Sequence, residues 1–404
     1  MRALRFPALA FALLASASAS AADAPWTAVA EAPLAGAADV RETRWETSRP
    51  PGGAYDHIRV HRYRTAGPAK AVLLYLPGTN MNGQVALRDE DHNLWIFLAR
   101  RGVEVYALDY RTAFPISSGV NDLGFMAEWT VDAFTEDIRT AAGLVRKESG
   151  RAKLFVSGFS RGAFFAYAYA GVEPEGVAGL VILDGPFKNH AAAAFDRAAE
   201  MGKLKASGAW ASDVSGPMGW DNRAKLLGAA AANPAGAALD AKFSTVGDQV
   251  SDLLYNAWGP GGLTNTRGQT KVQNVSRLLV GYDRWYPAIQ NVEGRAIASV
   301  ADDPATKVDD NFGKWTVPVL FFGSTGMGEQ WWRWMRSALH GHASRAGLPP
   351  LPQETETQCP NRQWSAGDGP GAAGTLIAGG ARCACEPVDN PSPLPGSSAS
   401  CQGW

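Results

Sequence analysis

The chain has 404 residues, with 38 basic against 39 acidic side chains, so no net field draws it to nucleic acid or to an anionic membrane; a small-molecule substrate is the expected partner. At 46% hydrophobic residues the composition is that of a water-soluble globular protein. The length exceeds the roughly 250 to 300 residues that one core usually holds, which predicts one large domain with an insertion.

The N-terminus carries Arg2 and Arg5, an apolar run from Phe6 to Ala15, and small residues up to Ala21. This pattern predicts a secretory signal peptide over residues 1–21 and a periplasmic or secreted protein. The apolar run is too short to serve as a lasting membrane anchor.

From residue 58, β-branched and aromatic runs alternate with helical patterns, the signature of βαβ units and a mostly parallel sheet with helices on both faces. IRVHRYR (58–64) alternates as an outer strand would. KAVLLYLPG (70–78), VEVYALDYR (103–111), KLFVSG (153–158), GLVILDGP (179–186) and TVPVLFFGS (316–324) read as buried strands. HNLWIFLARRG (92–102) and AFTEDIRTAAGLVRKESG (133–150) have apolar residues at helical spacing and end on glycine. Residues 39–186 and 316–340 are therefore expected to form the core. Residues 187–315 are rich in Ala and Gly and hold Trp210, Trp220, Trp258, Trp285 and Trp315. No ordinary connection is that long, so this stretch is expected to be a helical insertion forming a lid.

The segment FVSGFSRGAFFAYAYA pinches Ser160 between Gly158 and Gly162 at a strand-to-helix junction. A sharp turn there needs glycines so that strand and helix can approach closely, and it lifts the serine clear of the sheet. On this motif and the surrounding strands, over residues 58–186 and 316–330, the chain resembles the α/β-hydrolase superfamily of serine hydrolases. The resemblance implies that Ser160 attacks an acyl carbonyl while a histidine takes its proton and an acid orients the histidine. It implies an oxyanion hole made by the amides of Arg161, just after the serine, and Thr79, in the loop LPGTNMNG. The plainer reading of Pro77-Gly78 is a strand-ending turn.

The family's acid usually follows the strand TVPVLFFGS, where Glu329 is the nearest carboxylate; some members place it one strand earlier, where Asp184 stands. Asp184 is the expected acid and Glu329 the alternative. The chain order Ser, Asp, His implies His340, with His342 beside it, although a helix-terminal cation is the plainer reading of His340. His57, His61 and His92 are expected to be structural or exposed, His190 to belong to the base of the lid, and Asp109, which ends a strand ahead of the serine, to stabilise a loop.

Residues 341–404 form a Gly/Pro/Cys-rich tail without Phe, Tyr or Lys, a composition that resists packed strands or helices. The change falls where another strand and its histidine should begin, as a shifted reading frame near residue 339 would produce; a disulfide-tied extension is the plainer alternative. The tail holds all four cysteines, Cys359, Cys383, Cys385 and Cys401, which in an oxidising compartment allow three pairings. With no histidine after His342 and no paired CxxC spacing they do not read as a zinc site. No metal or organic cofactor is expected, because side chains and backbone amides suffice for acyl transfer. The expected activity is ester cleavage, with an amidase or peptidase, or a ligand-binding protein of hydrolase fold, as alternatives.

Overall fold

The alternation of strand and helix patterns produces, among the described residues, an eight-stranded sheet with helices on both faces. The computed structural model describes residues 25–84, 92–115, 122–183, 185, 195–213, 218–256, 271–282, 284–298 and 317–322. Its strands are β1 (Thr27–Leu34), β2 (Ala37–Ser48), β3 (His57–Arg64), β4 (Ala71–Leu76), β5 (Val103–Asp109), β6 (Leu154–Phe159), β7 (Val177–Leu183), β8 (Ala211–Asp213), β9 (Trp285–Pro287) and β10 (Val319–Phe322). The sheet order is β1-β2-β3-β5-β4-β6-β7-β10, and β8 and β9 pair separately. Pairings from β1 through to β5 are antiparallel, and those joining β5, β4, β6, β7 and β10 are parallel. The helices are α1 (Leu94–Arg100), α2 (Val131–Ser149), α3 (Arg161–Val172), α4 (Arg197–Ser207), α5 (Trp220–Ala232), α6 (Val246–Asn256), α7 (Val272–Val280) and α8 (Ala288–Ala298).

Two features differ from the sequence reading. The sheet begins at Thr27, ahead of residue 39, because the charge-rich β2, AADVRETRWETS, alternates buried and exposed positions without an apolar run to betray it. As a result β3 is not an outer strand. It lies between β2 and β5, and His61 and Arg62 are buried inside the sheet.

Helix α2 buries Val131, Phe134, Ile138, Ala141 and Val145 along one face, the spacing that turns an apolar stripe toward a core. Thr130 caps its first turn and Gly150, at φ 66°, ends it. Helix α3 is buried along almost its whole length, and its Phe164, Phe165, Tyr167 and Tyr169 belong to the larger core, beside α2 and α8. On the opposite face α1 packs Ile96 and Ala99 against Tyr63, Tyr75 and Val105.

The segment between β2 and β3 is fastened by buried charge. Asp137 of α2 accepts from Arg49 Nε at 3.0 Å and from Arg111 Nε and a terminal nitrogen at 2.8 and 2.6 Å. Arg111 also donates to Asp56 at 2.8 Å, and Trp129 Nε1 donates to the same oxygen at 2.9 Å. The second oxygen of Asp56 accepts from the Gly53 amide at 2.9 Å.

The segment inserted between the adjacent parallel strands β7 and β10 carries, among the described residues, five helices and the β8–β9 pair. Its α8 is bound to the core. Glu293, fully buried, accepts from the Val131 amide at the start of α2 at 2.8 Å and is gripped by Arg197 of α4 at 2.7 Å. Gln290 donates to Thr112 at 3.1 Å. In contrast α5, α6 and α7 share a small core of their own, with Leu226, Leu227, Ala230, Val246 and Val250.

Removing one partner of a buried ion pair leaves the other charge uncompensated. Asp137→Ala is expected to lower the unfolding free energy by about 3 to 5 kcal/mol, read as a fall in the urea midpoint with little change in slope.

Candidate active site

Parallel pairing sends the C-terminal ends of β4, β6 and β7 to one edge of the sheet, which is where open α/β sheets bind ligands. At that edge Ser160 follows β6 and opens α3. Its backbone sits at φ 50° and ψ −117°, a region that non-glycine residues occupy at a cost of about 1 to 3 kcal/mol. The strain is held by its surroundings: the Ser160 amide donates to the Leu183 carbonyl at 3.1 Å, and its carbonyl accepts from the Ala163 amide at 3.1 Å.

The glycines leave no alternative. A Cβ on Gly158 would overlap the Gly162 carbonyl and lie 2.6 Å from the Ala163 nitrogen; on Gly162 it would overlap the Leu76 carbonyl and lie 2.6 Å from that of Pro77. Gly185, which the sequence reading passed over, makes a third such contact, its Cβ position overlapping Ala163 and lying 2.9 Å from the Ser160 carbonyl.

A serine ahead of a helix normally accepts from an amide of the first turn. Ser160 makes no such bond, so its hydroxyl is not spent on capping. Among the described residues, neither the Arg161 amide nor the Thr79 amide has a hydrogen-bond acceptor. Thr79 is buried in the loop after β4, where Asn80 takes φ 53° and the Met81 amide closes a turn on the Gly78 carbonyl at 3.2 Å. That loop abuts the elbow, since a Cβ on Gly78 would lie 3.3 Å from the Phe159 carbonyl. The structure thus brings Ser160, Arg161 and the Thr79 loop together. Asp184, Glu329, His190, His340 and His342 lie outside the described residues, as do the cysteines and the tail; Leu183 and Gly185, on either side of Asp184, both touch the elbow.

The Arg161 side chain points away from the loop toward α8. It donates to Asn291 at 2.7 Å, lies over the Phe164 ring and fills the space beside Gly294. Burial pulls its pKa below the ordinary arginine value, with nearby Tyr286 opposing. In the insertion Trp210 is buried, and Arg284 lies over the rings of both Trp220 and Trp285. These tryptophans therefore have packing partners of their own.

His61 and Asp109 form a second charged cluster beside the same loop. His61 Nε2 is 3.0 Å from Asp109 and Nδ1 is 2.8 Å from Glu42. Asp109 also accepts from the Gly83 amide at 2.6 Å, which makes it the loop-stabilising residue that the sequence suggested. His57 is engaged by Ser48 at 3.3 Å. Burial disfavours a charged His61, but Asp109 and Glu42 outweigh it and hold the pKa up to about 9. Burial likewise opposes ionisation of Asp109 and Glu42, but His61, joined by the Gly83 amide and Arg59 at Asp109 and by Arg44 and Tyr63 at Glu42, more than offsets it, so both are held below the ordinary carboxylate range.

A histidine whose pKa is higher folded than unfolded contributes stability that is whole below its unfolded value, 6.5, and is lost as pH rises through about 9. The two carboxylates contribute above their ordinary values and lose that contribution as pH falls through their lowered ones. Thermal melts are expected to show this alkaline loss in the native protein, and His61→Gln is expected to remove that part of the pH dependence.

Comparison with known proteins agrees with this architecture. A family model described as the α/β-hydrolase fold matches residues 71–216. A candidate lipase of known structure from Sulfolobus solfataricus is 25% identical, with a TM-score of 0.60 over 73% of this chain and 83% of that one. A thioesterase domain from the curacin biosynthetic pathway is 14% identical, with a TM-score of 0.42 over 72% and 86%; so loose a likeness carries no weight here. No curated protein matched by sequence. With its sheet order, its glycine-crowded serine turn and these matches, the chain has the α/β-hydrolase fold.

Proposed function

We propose that the chain is an exported serine hydrolase that cleaves an ester or related acyl bond of a small, apolar substrate. The fold and the matched family support hydrolysis as such. The observation that carries the finer reading is Ser160, strained at the strand–helix junction with its hydroxyl not spent on capping, beside two amides that have no acceptor among the described residues.

In this reading Ser160 Oγ attacks the acyl carbon as His340 takes its proton, and Asp184 orients the histidine and stabilises its charged form. The carbonyl oxygen becomes an oxyanion facing the Arg161 and Thr79 amides, helped by the partial positive charge at the start of α3. Collapse breaks the bond to the leaving group, which leaves with the histidine's proton, and the acyl group stays on Ser160. Water then gives a proton to the histidine as it attacks the acyl-enzyme, and collapse breaks the bond to Ser160, whose oxygen takes that proton back as the acid leaves. The insertion would act as a lid over this edge of the sheet, and a signal peptide over residues 1–21 would deliver the protein to the periplasm or beyond. No metal or organic cofactor takes part.

Intact mass before and after a fluorophosphonate probe tests the reading. The native protein is expected to gain one adduct and Ser160→Ala none, with ester turnover lowered by roughly 10⁴ to 10⁶-fold in the variant. A folded native protein that takes no adduct would sink the serine-hydrolase assignment and favour ligand binding without turnover.

A further inference from the structure

The loop that carries Thr79 is held at three places. At its start, the Leu76 and Pro77 carbonyls are pressed against Gly162 of the elbow. At its far end, Gly83 is gripped on both sides of its backbone: its amide donates to Asp109 at 2.6 Å and its carbonyl accepts from the Tyr63 hydroxyl at 2.9 Å. A Cβ on Gly83 would lie 2.7 Å from the Ala107 carbonyl, so the loop runs directly on β5 there. Between these anchors Asn82 donates to the Gly281 carbonyl, at the end of α7 in the insertion, at 3.2 Å.

The anchor at Gly83 has a foundation inside the sheet. Asp109 accepts from Gly83 with one oxygen and turns the other to His61 at 3.0 Å and Arg59 at 3.4 Å. His61 is fixed from behind by Glu42 at 2.8 Å. The Tyr63 hydroxyl also lies 3.2 Å from Glu42, so its single proton is shared between that carboxylate and the Gly83 carbonyl. A buried cluster with this many charge-assisted bonds has one low-energy arrangement. It therefore sets one position for Gly83, and through the short loop one position for Thr79.

We infer that Asp109, braced by His61, is a positioning residue that acts through Gly83 to hold the Thr79 amide in place for the oxyanion. This rests on the proposed role of Thr79. An oxyanion donor works because it is aimed before charge develops, and donors that must be reoriented during the reaction give up much of that advantage. Asp109 touches neither the substrate nor Ser160 in this scheme; it acts at a distance through the backbone.

The test compares Asp109→Ala, which removes the acceptor for the Gly83 amide, with Asp109→Asn, which keeps one. Amide hydrogen exchange over residues 77–84 of the full chain is measured alongside kcat, KM and fluorophosphonate labelling. Asp109→Ala is expected to speed exchange in that segment at least ~10-fold without a matching change in α3, and to lower kcat by about 10²-fold with KM within about threefold. Asp109→Asn is expected to recover most of both. If Asp109→Ala does not fold, Tyr63→Phe, which removes the bonds to the Gly83 carbonyl and to Glu42 but keeps the Asp109–Gly83 bond, is expected to change exchange and kcat in the same sense by a few-fold.

Unchanged exchange in a folded variant overturns the anchor itself, whatever the enzyme does. Faster exchange with unchanged kcat keeps the anchor but overturns its catalytic purpose, and with it the role of Thr79. An Asn variant as impaired as the Ala variant would also overturn the inference, by tying the effect to charge rather than to the Gly83 bond.

Discussion

The structure turns on how closely one helix can approach one strand. Where β6 runs into α3 there is no volume for a single Cβ at residues 158, 162 or 185. That exclusion fixes where α3 begins, and the hydrogen bonds of Ser160 to Leu183 and Ala163 hold its unusual backbone against relaxation. The rest of the sheet is arranged around this contact: β4 and β7 flank β6, and the loops after them are the elements that touch the elbow. Burial of α3 along both its aromatic and alanine faces keeps the helix from retreating.

Charge does the fastening that apolar packing cannot. Three buried carboxylates on different elements each tie a backbone amide: Asp56 holds Gly53, Asp109 holds Gly83 and Glu293 holds Val131. Each amide belongs to a turn or a helix start, where the backbone lacks a partner within its own element. Each carboxylate is in turn matched by a cation, Arg111, His61 or Arg197. Burying a carboxylate is costly unless it is paired. Here the pairing also sets loop geometry, because the second oxygen, or the second lone pair, remains to take the backbone N–H.

Much of this was legible in the residues. The apolar runs of β4, β5, β6 and β7 announced themselves because strands buried on both faces read as continuous hydrophobic stretches. The turn at Ser160 was legible because its geometry tolerates only glycine at fixed offsets. Asp109 was legible in part, as a carboxylate at a strand end. Its partners were not: His61 and Glu42 sit on β3 and β2, far from it in sequence, and meet it only through strand pairing. β1 escaped notice because it is exposed almost throughout, and β2 because its charged side chains alternate with buried ones and no apolar run marks it. Gly185 and Glu293 carry no local signature, since what they do depends on elements that arrive from elsewhere in the chain.

The division within the insertion has a consequence for how such a protein can diverge. Helix α8 is written into the core by Gln290, Asn291 and Glu293, each bonded to a different core residue, and a change at any of them disturbs a partner outside the insertion. Helices α5, α6 and α7 pack mainly on one another, and apart from the Asn82 bond at the end of α7 substitutions there meet mainly their own neighbours. Two rates of drift are thus built into one inserted segment, with slow change next to the sheet and fast change in the outer helices. The outer helices can change while the turn that carries Ser160 stays as it is.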